Sequence, residues 1–430
     1  MWVWYYDRQG TIQSSGINFI QDLARFMVLL YALQRFTLGD WGRNTAFLED
    51  KKKGLHTITI DGVDLELQTS DDEIVTHYGL KGRATNVFPV TSKKLAEDFP
   101  EVQEDGMVAK IFWAEEQRTS EPEILEKVNE IAAEKDNVKG HVPHLLWHHK
   151  FTNPTSAVRK ALGVAEPTKG SRVLYILVFR KLRSITELQG EDFFKAWRQC
   201  ILCMLFFEFI LLSVEQMRVV GHLDLWKGGV LHRDVSPGNM MYYRTKDGTL
   251  MGVMNDYDLS SLATSVGPEG NERTGTVPFM ALDLLTPEGQ RGEVKHLYRH
   301  DLESFIWVLV WVSLRYRDGL LLEPPSRPLD VWATAGAQAC HNEKYVFLSY
   351  FLKFRPLDID PRIWSLVVEC LAVLKKDIDR RVDIQILQEL SSDAGEDENM
   401  HGEEDELDGD DFLHLFMSTK TWVRLCTIVS

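Results

Sequence analysis

The chain has 430 residues, 44% of them hydrophobic, and a formal net charge of −16. That is enough apolar material for two or three domains, or for one two-lobed domain with extensions. Its five cysteines (Cys200, Cys203, Cys340, Cys370, Cys426) are too few and too scattered for a disulfide framework, and without a basic stripe or zinc-finger spacing no nucleic-acid partner is expected. The start of the chain has no basic segment leading into an apolar core and a small-residue cleavage site, so no signal peptide is expected. A reducing interior, cytoplasmic or nuclear, is the expected setting.

In chain order, "MWVWYYDRQGTIQ" (1–13) predicts a strand, a tight turn at Asp7–Gly10 and a return strand. Residues 18–36 carry helical apolar spacing. "HTITIDGVDLELQ" (56–68) predicts a hairpin about Asp61-Gly62. These pieces form an N-terminal extension, 1–70. From 71 to 185 the chain reads as strand-rich, with one helical stretch near 120–134, and from 186 to 390 as mainly helical. A strand-rich half joined by a short link to a helical half is an α+β, two-lobed pattern with a cleft between the halves.

Three stretches stand apart. "ILCMLFFEFILLSV" (201–214) is almost wholly apolar, yet too short to span a bilayer and interrupted by Glu208, so it reads as a buried core helix and no membrane association is expected. The lone CxxC of Cys200 and Cys203 reads as two core thiols. "HVPHLLWHH" (141–149) reads as a partly exposed strand face rather than a metal site. Residues 393–411, "DAGEDENMHGEEDELDGDD", hold eleven acidic residues and neither Lys nor Arg, leaving about −5 for the rest of the chain. Such a run cannot bury enough apolar surface to fold and reads as a solvated loop, with a docking site for a basic partner as the alternative. Residues 412–430 read as a helix returning to the helical half or as a tail.

The chemistry-bearing stretch is "GVLHRDVSPGNMMY" (229–242). Phosphoryl transfer needs a carboxylate to orient the attacking hydroxyl and oxygen ligands for a metal ion. Asp234 and Asn239 have the spacing of H-R-D-x-x-x-x-N, with Arg233 preceding the aspartate. "VMNDYDLS" (253–260) supplies Asp256 as the second metal ligand, with Asp258 where D-F-G has glycine. Asp258 either adds a carboxylate near the metal or faces solvent. "RTGTVPFMALDLL" (273–285) reads as the end of an activation segment: Thr276 lies near the catalytic aspartate and Asp283 replaces the glutamate of A-P-E. Asp301 in "RHDLESFIWVLVWV" is expected to brace the catalytic-loop backbone, and Arg381 in "DIDRRV" to pair with Asp283. Upstream, "DGMVAKIFW" (105–113) matches V-A-I-K, so Lys110, beside Ala109, is expected to reach the α/β-phosphates. Its partner is Glu121, or else Glu123. "GLKGRATNVF" (79–88) takes the place of the glycine-rich loop. With Val87 as the terminal valine only Gly82 matches a glycine, Leu80 and Thr85 standing at the other two positions.

Order and spacing of these pieces carry a resemblance. Through "WYYDRQG", "GRATNVF", "VAKIFWAEEQRTSEPEIL", "GVLHRDVSPGNMM", "RTGTVPFMALDLL" and "HDLESFIWVL" the chain resembles the fungal-type protein kinase-like family, within the eukaryotic protein kinase-like superfamily, over nearly its whole length except the apolar stretch and the acidic run. The resemblance implies protein kinase activity with ATP and Mg2+, and a protein substrate. It also makes about twenty residues, roughly 203–220, an addition to the helix before H-R-D: either an intron read through in frame or a genuine insertion.

Two rival readings follow from particular residues. Ser236 stands where a serine/threonine protein kinase carries lysine, which removes a cation from the transferring phosphate. The loop is also similar to the D-L-H-P-G-N loop of aminoglycoside- and choline-type kinases. Those enzymes lack the Thr276–Asp283 segment, which favours a protein Ser/Thr substrate. A pseudokinase scaffold is the other alternative, opposed by the presence of Lys110, Glu121, Asp234, Asn239 and Asp256 together. A phosphorylated residue among Ser260, Ser261, Thr264, Ser265 and Thr274 could pair with Arg233.

Overall fold

The computed structural model describes residues 1–50, 54–69, 80–135, 138–204, 206–207, 221–222, 225, 229–262 and 275–392. Most of the stretch 203–220, the residues Thr264, Ser265 and Thr274, the acidic run and the tail 412–430 lie outside the described residues. The fold is mixed α+β, with strands concentrated in the N-terminal region and helices later. The chain forms two compact units, Met1–Pro122 with His144–Lys181, and Glu123–Pro143 with Leu182–Ser430.

In the first unit, β1 (Trp4–Asp7) and β2 (Gly10–Gln13) form the expected hairpin, Asp7 pairing with Gly10. Helix α1 (Leu23–Gln34) follows, and none of its residues is buried. Strands β3 (Leu48–Asp50), β4 (Leu55–Ile60), β5 (Val63–Gln68), β6 (Asn86–Thr91), β7 (Met107–Glu115), β8 (Leu145–Lys150) and β9 (Arg172–Arg180) make one antiparallel sheet in the order β3-β4-β5-β6-β7-β9-β8. The β4–β5 turn has φ 51° at Asp61 and 74° at Gly62, the left-handed pair that an Asp-Gly hairpin supplies. Strand β5 alternates buried and exposed residues along its length. That alternation buries Val63, Leu65 and Leu67 with Ile58, Val90, Met107, Ala109, Ile176 and Val178 in one apolar layer. The hairpin expected to lie in an N-terminal extension is thus continuous with the main sheet. Three short helices not expected from the sequence also occur here: α2 (Lys93–Asp98), α3 (Val102–Asp105) and, after α4, α5 (Thr155–Ala161). Helix α4 (Glu121–Glu134) is the expected one, and from Glu123 onward it belongs to the second unit.

In the second unit, α6 (Gly190–Met204) ends inside the apolar stretch. Phe206–Phe207, strand β11, pairs with Gly221–His222, strand β12. The stretch 201–214 is therefore not a single buried helix, because the chain leaves the helix after Met204 and turns extended. Strand β10 (Arg183–Ser184) joins β14 (Met240–Arg244) and β15 (Leu250–Met254) in a three-stranded sheet, and β13 (Val230–Leu231) pairs with β16 (Ser261–Leu262). The helical layer includes α7 (Tyr298–Arg315), α8 (Ala337–Tyr350) and α9 (Pro361–Ser392). Every residue of α7 except Arg299 is buried, as its apolar, all-round sequence dictates. Among the described residues no helix is long and apolar enough to cross a membrane.

Candidate active site

The lysine of the first unit is set by strand geometry. On β7, Lys110 is opposite Val87 of β6 and Leu177 of β9, so Val87 and Lys110 share a face. Ala109 faces the other way, fully buried in the apolar layer with Met107. Adjacent residues of a strand point to opposite faces, so Ala109 is not placed with Lys110. Val108, two positions from the lysine, shares its face, and the period-2 rule applied to the sequence would have found it. The Lys110 ammonium is 2.6 Å from Glu121 and 4.7 Å from the Phe112 ring centre, with side chains 8% and 1% exposed for lysine and glutamate. That settles the partner: Glu123 is exposed, and Pro122 sits in the first turn of α4.

The loop before β6 differs from expectation. Gly82 has φ 109°, a conformation that favours glycine. Its amide donates to the carbonyl of Arg8 at 3.0 Å, in the turn of the β1–β2 hairpin. This N–H is committed to the hairpin rather than presented to a phosphate. Leu80 is largely exposed.

In the second unit, hairpin register brings the candidate ligands together. Met240 pairs with Met254 across β14 and β15, and the ladder continues with the Asn255 amide donating to the Asn239 carbonyl at 2.8 Å. Asn239 at the start of one strand therefore lies beside Asn255–Asp256 at the end of the other. The loop leading into β14 is built on its own backbone. The Ser236 carbonyl accepts from the amides of Asn239 and Met240, and the Asn239 side-chain amide donates to the Asp234 carbonyl at 2.8 Å and to its Oδ2 at 3.1 Å. From the other side, the Thr276 amide and hydroxyl donate to Asp234 Oδ1 at 2.9 and 2.8 Å. Gly275, with φ 145°, permits this approach; a Cβ there would lie 2.8 Å from the Met280 side chain.

His232 underpins the loop. Fully buried, its Nε2 lies 3.0 Å from the Asn255 carbonyl, and its ring meets Tyr257 edge-on. The Arg233 amide donates to Asp301 Oδ2 at 3.4 Å, the expected brace, while Asp301 Oδ1 lies 2.9 Å from His296 Nε2. Burial pushes the Asp301 carboxyl up, but His296, His232 and the Arg233 amide outweigh it and hold the group below the usual carboxylate range. Ser260 is fully buried and its hydroxyl donates to the His232 carbonyl, so this serine is structural rather than an accessible modification site. Asp258 is also buried, at 8% exposure, and does not face solvent; its amide donates to Asp256 Oδ1. Ser236 is buried as well, and the bonds that tie the loop together engage its carbonyl.

A charged network anchors the segment after Thr276. Asp283 accepts from Arg381 at 2.7 and 2.8 Å, as expected, and also from Arg299 at 2.6 Å. Burial alone would raise the Asp283 carboxyl, but His300 and the two guanidinium groups win and depress it strongly. Two members of this region were not foreseen. Glu303 accepts from the Leu282 amide and from Trp307 Nε1, and Lys344, fully buried, donates to the Met280 carbonyl at 2.7 Å. Nothing local in "DLESF" or "NEKYV" marks them, because the backbone groups they hold, the Leu282 amide and the Met280 carbonyl, are distant in sequence.

Asn239 and Asp256 are an oxygen donor pair suited to Mg2+, a cation usually held by one or two protein oxygens together with phosphate and water. Among the described residues no cluster of three or more His, Cys, Asp or Glu is arranged to hold a metal. Cys200 and Cys203 are buried thiols outside any disulfide, and burial pushes the Cys200 thiol well above its ordinary value. His148 and His149 lie on partly exposed β8, while His141 and His144 precede it.

A strand-borne lysine–glutamate pair, an H-R-D-x-x-x-x-N loop fixed by a threonine, and a D-x-D turn in register with it define a kinase-like protein. The chain matches the fungal protein kinase family over residues 1–187 and 209–313, more than half its length, and belongs to that family. A search of curated proteins returns no match. The family match breaks over 188–208 and resumes at 209, so it includes 209–220, most of the segment that the sequence marks as added.

Proposed function

We propose that the protein is an ATP- and Mg2+-dependent protein kinase that transfers the γ-phosphate to serine or threonine hydroxyls of protein substrates. The observation that carries this reading is the state of the Asp234 carboxylate. It accepts two hydrogen bonds from Thr276 and one from Asn239. An ionised carboxylate offers about four acceptor positions, so one remains for the hydroxyl of a substrate. Held this way, Asp234 orients that hydroxyl and accepts its proton as the oxygen attacks. Asn239 and Asp256 would hold Mg2+, and Lys110, fixed by Glu121, would contact the α/β-phosphates. When bound, Mg2+ neutralises charge on the phosphates. Thr276 favours a protein substrate over a small alcohol, since it belongs to a segment anchored by Asp283, Arg299 and Arg381 for which a small substrate has no use.

Ser236 supports the second reading, a nucleotide-binding scaffold, because the loop lacks the lysine cation. Purified protein incubated with labelled Mg-ATP and generic protein substrates separates the readings. Phosphate transfer to serine or threonine, lost in Asp234→Ala and Lys110→Met variants that keep their unfolding transition, is the expected result. Binding without transfer establishes the scaffold. Transfer to small alcohols or amines alone refutes the protein-kinase reading.

A further inference from the structure

The β1–β2 hairpin is fastened to the rest of its unit more heavily than a surface hairpin needs. Asp7 receives the Arg159 guanidinium through both oxygens, at 2.6 and 3.2 Å, with each side chain only 8% exposed. Asp7 Oδ1 also accepts the amides of Gln9 and Gly10, which closes the turn. The Gln9 side chain then donates to the carbonyls of Pro167 and Lys169, at 2.8 Å each, and accepts from the Thr155 hydroxyl at 2.8 Å. Between these two anchors stands Arg8, whose carbonyl takes the Gly82 amide. The next residue of the loop, Arg83, offers its carbonyl to the amide of Trp113 at 2.8 Å, on the same strand as Lys110. Residues 82–83 are thus strung between the hairpin turn and the lysine-bearing strand. The loop has only one of the three glycines expected there, so it has little freedom to wrap a phosphate chain by itself.

We propose that the Asp7–Arg159 pair and the Gln9 fork are positioning elements for nucleotide binding: they hold the hairpin so that the Arg8 carbonyl fixes loop 80–85 in its binding-competent form. The inference rests on the kinase reading for its ligand, ATP, but the brace itself is testable without any ligand. A loop that is competent only part of the time lowers apparent affinity by the fraction competent. Releasing it therefore weakens ATP binding without altering the groups that carry out transfer.

The test uses the full chain as wild type, Asp7→Asn, Arg159→Gln and Gln9→Ala. Asparagine keeps the acceptor that closes the turn, so Asp7→Asn removes the ion pair and little else. Two readouts are taken on each protein: hydrogen exchange of the Gly82 amide without ligand, and Mg-ATP affinity with KM and kcat where turnover occurs. The expected result is loss of most of the exchange protection of the Gly82 amide, the loop being competent about a tenth of the time, with Kd and KM for ATP raised about tenfold, and kcat and the KM for protein substrate nearly unchanged. Unaltered Gly82 exchange in all three variants overturns the brace. Loss of that protection with unchanged ATP affinity overturns its role in nucleotide binding. Wild type that fails to bind ATP refutes the kinase reading instead, and the exchange data still decide whether the brace exists. Asp7→Asn and Arg159→Gln release one anchor and Gln9→Ala the other, so if one variant unfolds the remaining two carry the test.

Discussion

Lys344 gives a prediction whose sign depends on pH. Its ammonium is fully buried, hydrogen-bonded to the Met280 carbonyl at 2.7 Å and 4.6 and 5.6 Å from the ring centres of Trp307 and Trp332. Cys340 on its own helix and Glu303 on α7 are the titratable groups that act on it. Burial lowers its pKa from 10.5 to about 8, against the pull of those two groups. The unfolded chain therefore binds the proton more tightly. The resulting penalty is present in full below about pH 8 and fades as pH rises to 10.5. At roughly 1.4 kcal/mol per pKa unit it amounts to about 3 kcal/mol. Lys344→Met removes the penalty but leaves the Met280 carbonyl unsatisfied, which costs about 1–3 kcal/mol at any pH. The two effects nearly cancel at pH 7, where the variant should be about as stable as wild type. At pH 10.5 only the lost hydrogen bond remains, and the variant should be less stable by about 1–3 kcal/mol. Urea unfolding of both proteins at the two pH values measures this, and their difference removes every group that titrates alike in both. A variant-minus-wild-type difference that stays constant with pH, or moves the other way, refutes the reasoning.

Two further predictions concern the scaffold of the site. Arg381→Met strips Asp283 and Asp377 of a shared guanidinium and should cost about 3 kcal/mol in urea unfolding; a loss below about 1 kcal/mol would show the network to be redundant with Arg299. Gly252→Ala places a Cβ 2.4 Å from the Ala196 carbonyl oxygen of α6, with no flexible side-chain end to move aside. It should destabilise by about 1–3 kcal/mol or more, and an unchanged thermal midpoint would mean that α6 and the β14–β15 hairpin are less tightly apposed than the structure has them.

What could be read from sequence was what depends on local pattern. Asp61-Gly62 announces its hairpin because only a left-handed pair closes that turn. Asp234, Asn239 and Asp256 stand out because their chemistry requires fixed spacing along the chain. The misreadings come from ignoring geometry or from long-range contacts. On sequence, Ala109 groups with Lys110 although neighbours on a strand face apart, and Ser260 reads as a modification site although it is buried; of the two places left open for Asp258, burial removes the solvent-facing one. Glu303, Lys344 and the Arg8 carbonyl act through partners up to about seventy residues away, several of them backbone atoms, which carry no sequence signature at all.

Arg233 and Asp256 both have left-handed backbones, with φ of 69° and 63°. For residues bearing a Cβ this costs of order 1 kcal/mol each. The Arg233 amide on Asp301, the Asn255–Asn239 backbone bond beside Asp256 and the Asp258 amide on Asp256 Oδ1 hold them there. A selection for thermal tolerance alone would find easy gains by placing glycine at either position, and would remove the site's carboxylate or its guanidinium in the process. On the proposed function, endurance and activity therefore pull in opposite directions at these two residues, and a thermostable descendant that retains both side chains must find its gains elsewhere in the chain.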